Sequence, residues 1–139
     1  MTDNRNSPAS FDDAIDAIES GYEFLLAYAA QGRRTDRDAG GERGPRQRLE
    51  AMAGALDALP QLARAAEAGH DADLIATAGA FFAALERDAE VAAAAVRLVL
   101  AQSDISSQLI DNLNASIHLR AVLTDIFLLD EALKGTNTG

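Results

Sequence analysis

Residues 72–102 read ADLIATAGAFFAALERDAEVAAAAVRLVLAQ and carry the clearest structural signal in the chain. Their apolar side chains recur at the 3.6-residue spacing of an α-helix, and Asp71 stands where an N-cap residue is needed. The residues that share this apolar face are Leu74, Ala78, Phe81, Phe82, Leu85, Ala89, Ala92, Val96, Val99 and Leu100. The pattern therefore predicts one long amphipathic helix, which at 1.5 Å per residue spans about 46 Å.

Three further segments show helical periodicity, and no strand or hairpin pattern competes with them. They run from about 11 to 31 after the N-cap Ser10, from 45 to about 68, and from 103 or 104 to 135. Pro60 removes one backbone donor from the second segment, so we expect a kink or a break there. The sequence thus predicts an all-α fold: an antiparallel four-helix bundle with a kinked second helix and two long C-terminal helices.

The first two helices are separated by residues 33–44, RRTDRDAGGERG, which combine three glycines with alternating charges. This composition is typical of a solvated linker, and we expect it to be mobile. Six of the twelve basic residues lie between Arg33 and Arg48. The predicted organisation is a flexible tail over 1–9, one helical domain over 10–135, and a short flexible tail over 136–139.

Composition excludes several classes of function. The 139 residues carry a net charge of −10, no cysteine and only 5% aromatic residues. Thiolate metal sites and cysteine catalysis are therefore excluded, and nucleic-acid binding is disfavoured. The two histidines do not form the paired Glu-x-x-His pattern of di-iron bundles. The N-terminus lacks the layout of a secretory signal, and charges interrupt the most apolar stretch, residues 117–133. We expect no cofactor, no metal, no membrane association and a cytoplasmic location.

Four carboxylates form a strip along the first predicted helix. Asp12, Asp16, Glu19 and Glu23 recur at helical spacing with no Lys or Arg among them. Like charges at this spacing oppose helix formation slightly. We predict that the strip binds a basic partner protein. Two alternatives remain: a solvated face that maintains solubility, or a face onto which the Arg-rich linker folds back.

The last segment is apolar almost all round near Leu128, and a helix without a polar face must be buried on every side. A bundle of only four helices has too little apolar surface to cover this segment on every side, which predicts a homodimer. The predicted oligomer interface comprises Leu119, Val122, Leu123, Ile126, Phe127, Leu128, Leu129 and Leu133. The alternative is a monomer in which the first two helices cover the same surface.

Two polar residues, Asn112 and Ser116, fall on the apolar seam of that segment. Polar groups in such a seam commonly fix helix register and oligomeric state. The alternative is a small-molecule or enzymatic pocket formed with Arg120.

Together these features predict a small, acidic, helical homodimer without chemistry of its own, which binds other proteins as an assembly factor, adaptor or regulator. The alternatives are a chaperone for a secreted or flagellar substrate, a minor subunit of a larger enzyme, and the pocket around Asn112, Ser116 and Arg120.

Overall fold

The computed structural model describes residues 8–37, 44–66 and 70–137, with side chains through Lys134. Within these residues the chain is entirely α-helical and contains no strand. The helices are α1 (Phe11–Ala29), α2 (Pro45–Ala66), α3 (Ala72–Leu100), α4 (Ser107–Ala115) and α5 (His118–Asn137). The described residues leave out two predicted flexible segments in part: residues 1–7 of the tail over 1–9, and residues 38–43 of the linker over 33–44.

The first and third helices begin at the predicted N-caps. The Ser10 side chain accepts a hydrogen bond from Asp13 N at 3.1 Å, and Asp71 Oδ1 accepts one from Leu74 N at 2.8 Å. Each cap satisfies a backbone donor that has no partner within the helix. After α1, Gly32 adopts a φ of 68°, the left-handed conformation in which glycine carries no steric penalty. Local chemistry therefore sets these boundaries.

The helices pack around one hydrophobic core, to which all five contribute. The pairs α1–α2 and α2–α3 make the most extensive contacts, α5 packs mainly on α3, and α4 mainly on α1. At Gly21 the first two helices approach so closely that a Cβ would overlap the Met52 side chain. The core is thus built from both halves of the chain.

The prediction of one long C-terminal helix is wrong. The segment divides into α4 and α5 at Ser116 and Ile117, and Ile117 has a φ of 65°. The Ser116 hydroxyl donates to Leu113 O at 2.6 Å and Ser116 N donates to Asn112 O at 3.0 Å, so both bonds close the end of α4. Ser106, rather than Ser103 or Asp104, caps the start of α4, and α3 ends at Leu100.

The second helix is not broken at Pro60, because α2 continues through this residue to Ala66; a kink within the continuous helix stays a prediction. Proline removes only one backbone donor. Leu59 and Ala63, on either side of it, are buried in the core, and this packing holds the helix together across the missing hydrogen bond. At the other end of the chain, α5 extends two residues past the predicted terminus at Gly135.

Candidate functional site

The acidic strip of α1 lies on the outside of the molecule. Asp12, Asp16 and Glu23 are exposed and Glu19 is half-buried. Among the described residues, none of the four forms an ion pair. Leu26 continues the same face towards the C-terminal end of α1 and is 49% exposed. The outer face of α1 therefore combines unpaired carboxylates with one large apolar side chain.

Two arginines of the linker region pair with carboxylates outside the strip. Arg37 forms a salt bridge to Asp104 at 2.9 Å, and Arg46 Nε donates to Asp36 Oδ2 at 2.7 Å. The guanidinium of Arg46 also donates to the carbonyls of Leu100, Gln102 and Ser103, at the end of α3. We call these residues, Asp36, Arg37, Arg46 and Asp104, the arginine junction. The junction ties residues 33–37 to the loop between α3 and α4, and among the described residues no hydrogen bond or ion pair links it to the strip.

Asp36 is the buried centre of the arginine junction, with a side chain only 8% exposed. Burial alone would raise the pKa of this carboxyl. The hydrogen bond from Ile105 N, at 2.8 Å, and the bond from Arg46 outweigh it, and they hold the pKa of Asp36 below its ordinary value. The carboxyl is therefore ionised at neutral pH and holds Arg46 in place.

Further polar contacts join the same end of the molecule. The Tyr28 hydroxyl donates to Ile105 O at 2.6 Å, and Arg33 and Ser107 exchange hydrogen bonds through their backbones and the Ser107 hydroxyl. Burial, followed by the charge of Asp36, raises the pKa of Tyr28. The linker residues next to α1 are thus anchored to α4. Sequence reasoning did not foresee this, because the partners are about 70 residues apart.

Most of the predicted oligomer interface is buried in the chain's own core. Six of its eight residues lie there: Leu119, Val122, Leu123, Ile126, Leu129 and Leu133. Only Phe127 and Leu128 are exposed, by 44% and 60%. Leu128 borders an apolar groove of about 160 Å³ between α3 and α5, with Leu74 and Phe81 on its other wall. The large apolar surface expected on α5 is therefore reduced to two side chains.

The two residues predicted to lie in an apolar seam, Asn112 and Ser116, do not lie in the core. Asn112 is exposed, and the amide buried in this region is Asn114, whose Nδ2 donates to Leu25 O at 3.4 Å. Ser116 is half-buried at the end of α4, where its hydroxyl bonds to the backbone. Arg120 is exposed rather than directed into the core. These positions do not converge on an inward-facing pocket.

A pair of carboxyls that sequence reasoning missed lies between α3 and α5. Asp125 is half-buried, and its Oδ2 atom is shielded from solvent without a hydrogen-bond partner. Burial, followed by the hydrogen-bonding and charge interactions with Asp88, raises the pKa of Asp125 to about 7. Two ionised carboxylates offer acceptors only, so a shared proton is needed to join them. The pair is therefore a pH-sensitive contact between the two helices.

A cavity of about 440 Å³ lies at the opposite end of the molecule from the arginine junction. It is lined by residues of α1, α2 and α5 together with His70, whose Nε2 lies 3.1 Å from Leu133 O. Lys134 Nζ and Asp130 Oδ2 pair within it at 3.0 Å, and Asp130 raises the pKa of Lys134. Because Asp12 and Asp130 line it together with Lys134, its charges are of both signs, and the cavity does not select one class of ligand.

No protein-family model, curated protein or solved structure matches the chain. In the part of the chain that the structure describes, no three His, Asp or Glu side chains are grouped so that they could hold a metal ion. Over the same residues, no helix combines the length and the apolar character needed to span a bilayer. Function must therefore be argued from the surfaces themselves, and the outer face of α1 is the most distinctive of them.

Proposed function

We propose that this protein is a non-enzymatic interaction module that binds another polypeptide through the outer face of α1. The observation that carries the proposal is the unpaired acidic strip, Asp12, Asp16, Glu19 and Glu23, beside the exposed Leu26. Carboxylates next to an exposed apolar side chain offer the polar and apolar contacts that protein interfaces combine. The partner is accordingly a polypeptide with a basic surface and an apolar contact point.

The pairing of the arginines supports this proposal over a purely internal role for the strip. An internal role requires the Arg-rich segment to fold back onto α1. Arg37 and Arg46 instead bind Asp104 and Asp36, at the junction of the linker with α3 and α4. These two arginines are therefore engaged away from the strip.

Within this proposal the protein acts as an assembly factor, adaptor or regulator. A chaperone for an exported substrate and a minor subunit of a larger enzyme are narrower forms of the same function, since each uses a surface rather than a reaction centre. The apolar groove beside Leu128 favours the subunit form, because it offers a second, uncharged contact on a different side of the molecule.

The proposal is tested by neutralising the strip. The triple variant Asp16→Asn, Glu19→Gln, Glu23→Gln should bind a partner recovered from the source organism on the order of tenfold more weakly, or not at all. A matched control, Glu86→Gln, Glu90→Gln, Asp111→Asn, makes the same charge change at exposed carboxylates of α3 and α4 and should bind normally. Calorimetric titration of each variant with the recovered partner measures the difference. Equal binding by the strip variant and the wild type would remove α1 as the interface.

A further inference from the structure

The side of α3 that points away from the core is mostly apolar between residues 76 and 98, about 33 Å of helix at 1.5 Å per residue. We call it the outer face of α3, and its residues are all exposed: Ala76, Gly79, Ala80, Ala83, Arg87, Glu90, Val91, Ala94 and Leu98. The charges of the exposed residues in this stretch cancel, since they are Glu86, Arg87, Glu90 and Arg97. A chain of net charge −10 therefore has a neutral face here.

The two halves of this face differ in the size of their side chains. Four small residues of the first half stand at i, i+3, i+4 and i+7, the neighbours that form a hole for a side chain of a facing helix: Ala76, Gly79, Ala80 and Ala83. The hole is open, because a Cβ on Gly79 would meet no atom within 4 Å. In the second half, Leu98 is 67% exposed, more than any other large apolar side chain of the described residues. One half thus offers a hole and the other a side chain that would fill it.

A second α3 in antiparallel orientation brings the two halves together. In a pair related by a two-fold axis, residues that face each other lie at equal distances on either side of the axis. Leu98 of each copy faces the centre of the other's hole, between Gly79 and Ala80, when the axis crosses α3 between residues 88 and 89. Small side chains at this contact let the helix axes approach to about 8 Å.

The charges on the face indicate the same axis independently. Arg87 of one copy lies opposite Glu90 of the other when the axis crosses α3 between residues 88 and 89, and the symmetry makes this pair twice. Among the described residues, neither side chain forms an ion pair within its own chain. Side-chain size and charge are separate properties, so their agreement on one axis is evidence for the pairing.

We infer that the outer face of α3 binds a second copy of the chain in antiparallel orientation, with Leu98 of each copy in the hole of the other. Two chains of net charge −10 repel each other overall, and they meet here on surfaces whose exposed charges cancel. The homodimer thus forms at α3, and not at α5, where six of the eight predicted interface residues lie inside the chain's own core. The inference goes beyond the proposed function, because the acidic strip lies on α1.

Sedimentation velocity of the full chain tests the inference. The wild type should form a dimer of twice the monomer mass of 14.6 kDa. Leu98→Glu should be monomeric with an unchanged circular dichroism spectrum, because it places a charge in the apolar hole and the side chain is exposed. The matched control Leu128→Glu, at a 60% exposed leucine of α5, should remain dimeric. A wild type that is monomeric at every concentration, or a dimeric Leu98→Glu, overturns the inference.

The ion pair is tested by reversing its charges. Arg87→Glu and Glu90→Arg each place like charges opposite one another across the axis, so each should weaken the dimer by about tenfold or more. The double variant reverses both partners and should recover the dissociation constant of the wild type. A double variant as weak as the single ones contradicts the position given to the axis.

The sequence contains no cysteine, so introduced cysteines report the register of the two helices. Ala80 of one copy lies opposite Leu98 of the other, which suits the roughly 4.4–6.8 Å between Cα atoms that a disulfide needs. The two copies of either position are about 25–29 Å apart along the helix axes. A mixture of Ala80→Cys and Leu98→Cys chains should therefore cross-link under mild oxidation, and neither variant should do so alone. Cross-linking of one variant alone, as fast as in the mixture, would contradict the antiparallel register.

Discussion

Replacing Asp125 with asparagine should stabilise the protein most at pH 8, and its effect should shrink steadily as the pH falls towards 4. In the folded chain the pKa of Asp125 is raised to about 7, against an ordinary value of 3.8. A folded-state pKa above the unfolded value means that the folded chain holds the proton more tightly. Stability is therefore lost as the pH rises from about 4 to about 7 and stays level above that range.

The magnitude follows from the shift. About three pKa units at 1.36 kcal/mol each set an upper bound of about 4 kcal/mol on the stability lost between pH 4 and pH 8. Because Asp125 is only half-buried, solvent screens part of this, and we expect Asp125→Asn to recover about 1–2 kcal/mol at pH 8. The amide keeps the shape of the carboxyl and adds a donor for Asp88.

Urea unfolding followed by circular dichroism at pH 5, 6, 7 and 8 measures this effect as a difference between wild type and variant. Taking the difference removes the contributions of carboxyls common to both chains. Asp111→Asn, at an exposed position on α4, is the matched control and should not change the pH dependence. A difference between wild type and Asp125→Asn that is the same at all four pH values would refute the raised pKa.

Two further changes test the backbone and the arginine junction. Arg46→Ala removes the hydrogen bonds of the guanidinium and leaves the buried Asp36 without its counter-charge, so it should lower the free energy of unfolding by about 2–4 kcal/mol. The control Arg34→Ala changes an exposed arginine that forms no ion pair among the described residues, and it should change the free energy of unfolding by less than about 0.5 kcal/mol. Equal effects of the two variants would contradict the role given to the arginine junction. Ile117→Gly should raise the free energy of unfolding, measured by urea titration, by about 1 kcal/mol. The left-handed φ of 65° strains a β-branched residue, and the side chain is 57% exposed and so contributes little burial. A destabilised variant would show that the contacts of the isoleucine outweigh the strain.

Helical periodicity and capping depend on residues close together in sequence, and they predicted the features of this fold that depend on such residues. The long α3 and the caps Ser10 and Asp71 follow from residues within one or two turns of each other. The division between α4 and α5 did not emerge, because the apolar pattern continues across it: Leu113 and Leu119 are both buried although the helix is interrupted between them. Apolar periodicity shows which residues face the core. It does not detect a single residue with a left-handed φ between two helices when both helices turn their apolar faces to the same core.

The errors at the candidate sites have the same origin. Asn112 was placed in the apolar seam by extending one uninterrupted helix through it, and the break at Ile117 changes the phase, so that Asn114 takes the buried position. Two other contacts join residues that are not neighbours on one helix. They are the pair Asp88–Asp125, between α3 and α5, and the salt bridge between Arg46 of α2 and Asp36 in the linker. No spacing rule reaches such contacts, since they depend on how the helices pack.

The break at Ile117 also changes the argument about association. One uninterrupted C-terminal helix, apolar all round near Leu128, would need a partner to cover it. The separate α5 instead packs on α3 and α1, and Phe127 and Leu128 are the large apolar side chains that it exposes among the described residues. Scattered exposed apolar residues are normal for a monomer. The outer face of α1 differs, since its four carboxylates form no ion pair among the described residues. Like charges at helical spacing destabilise a helix slightly, and a basic partner surface on this face would offset that cost.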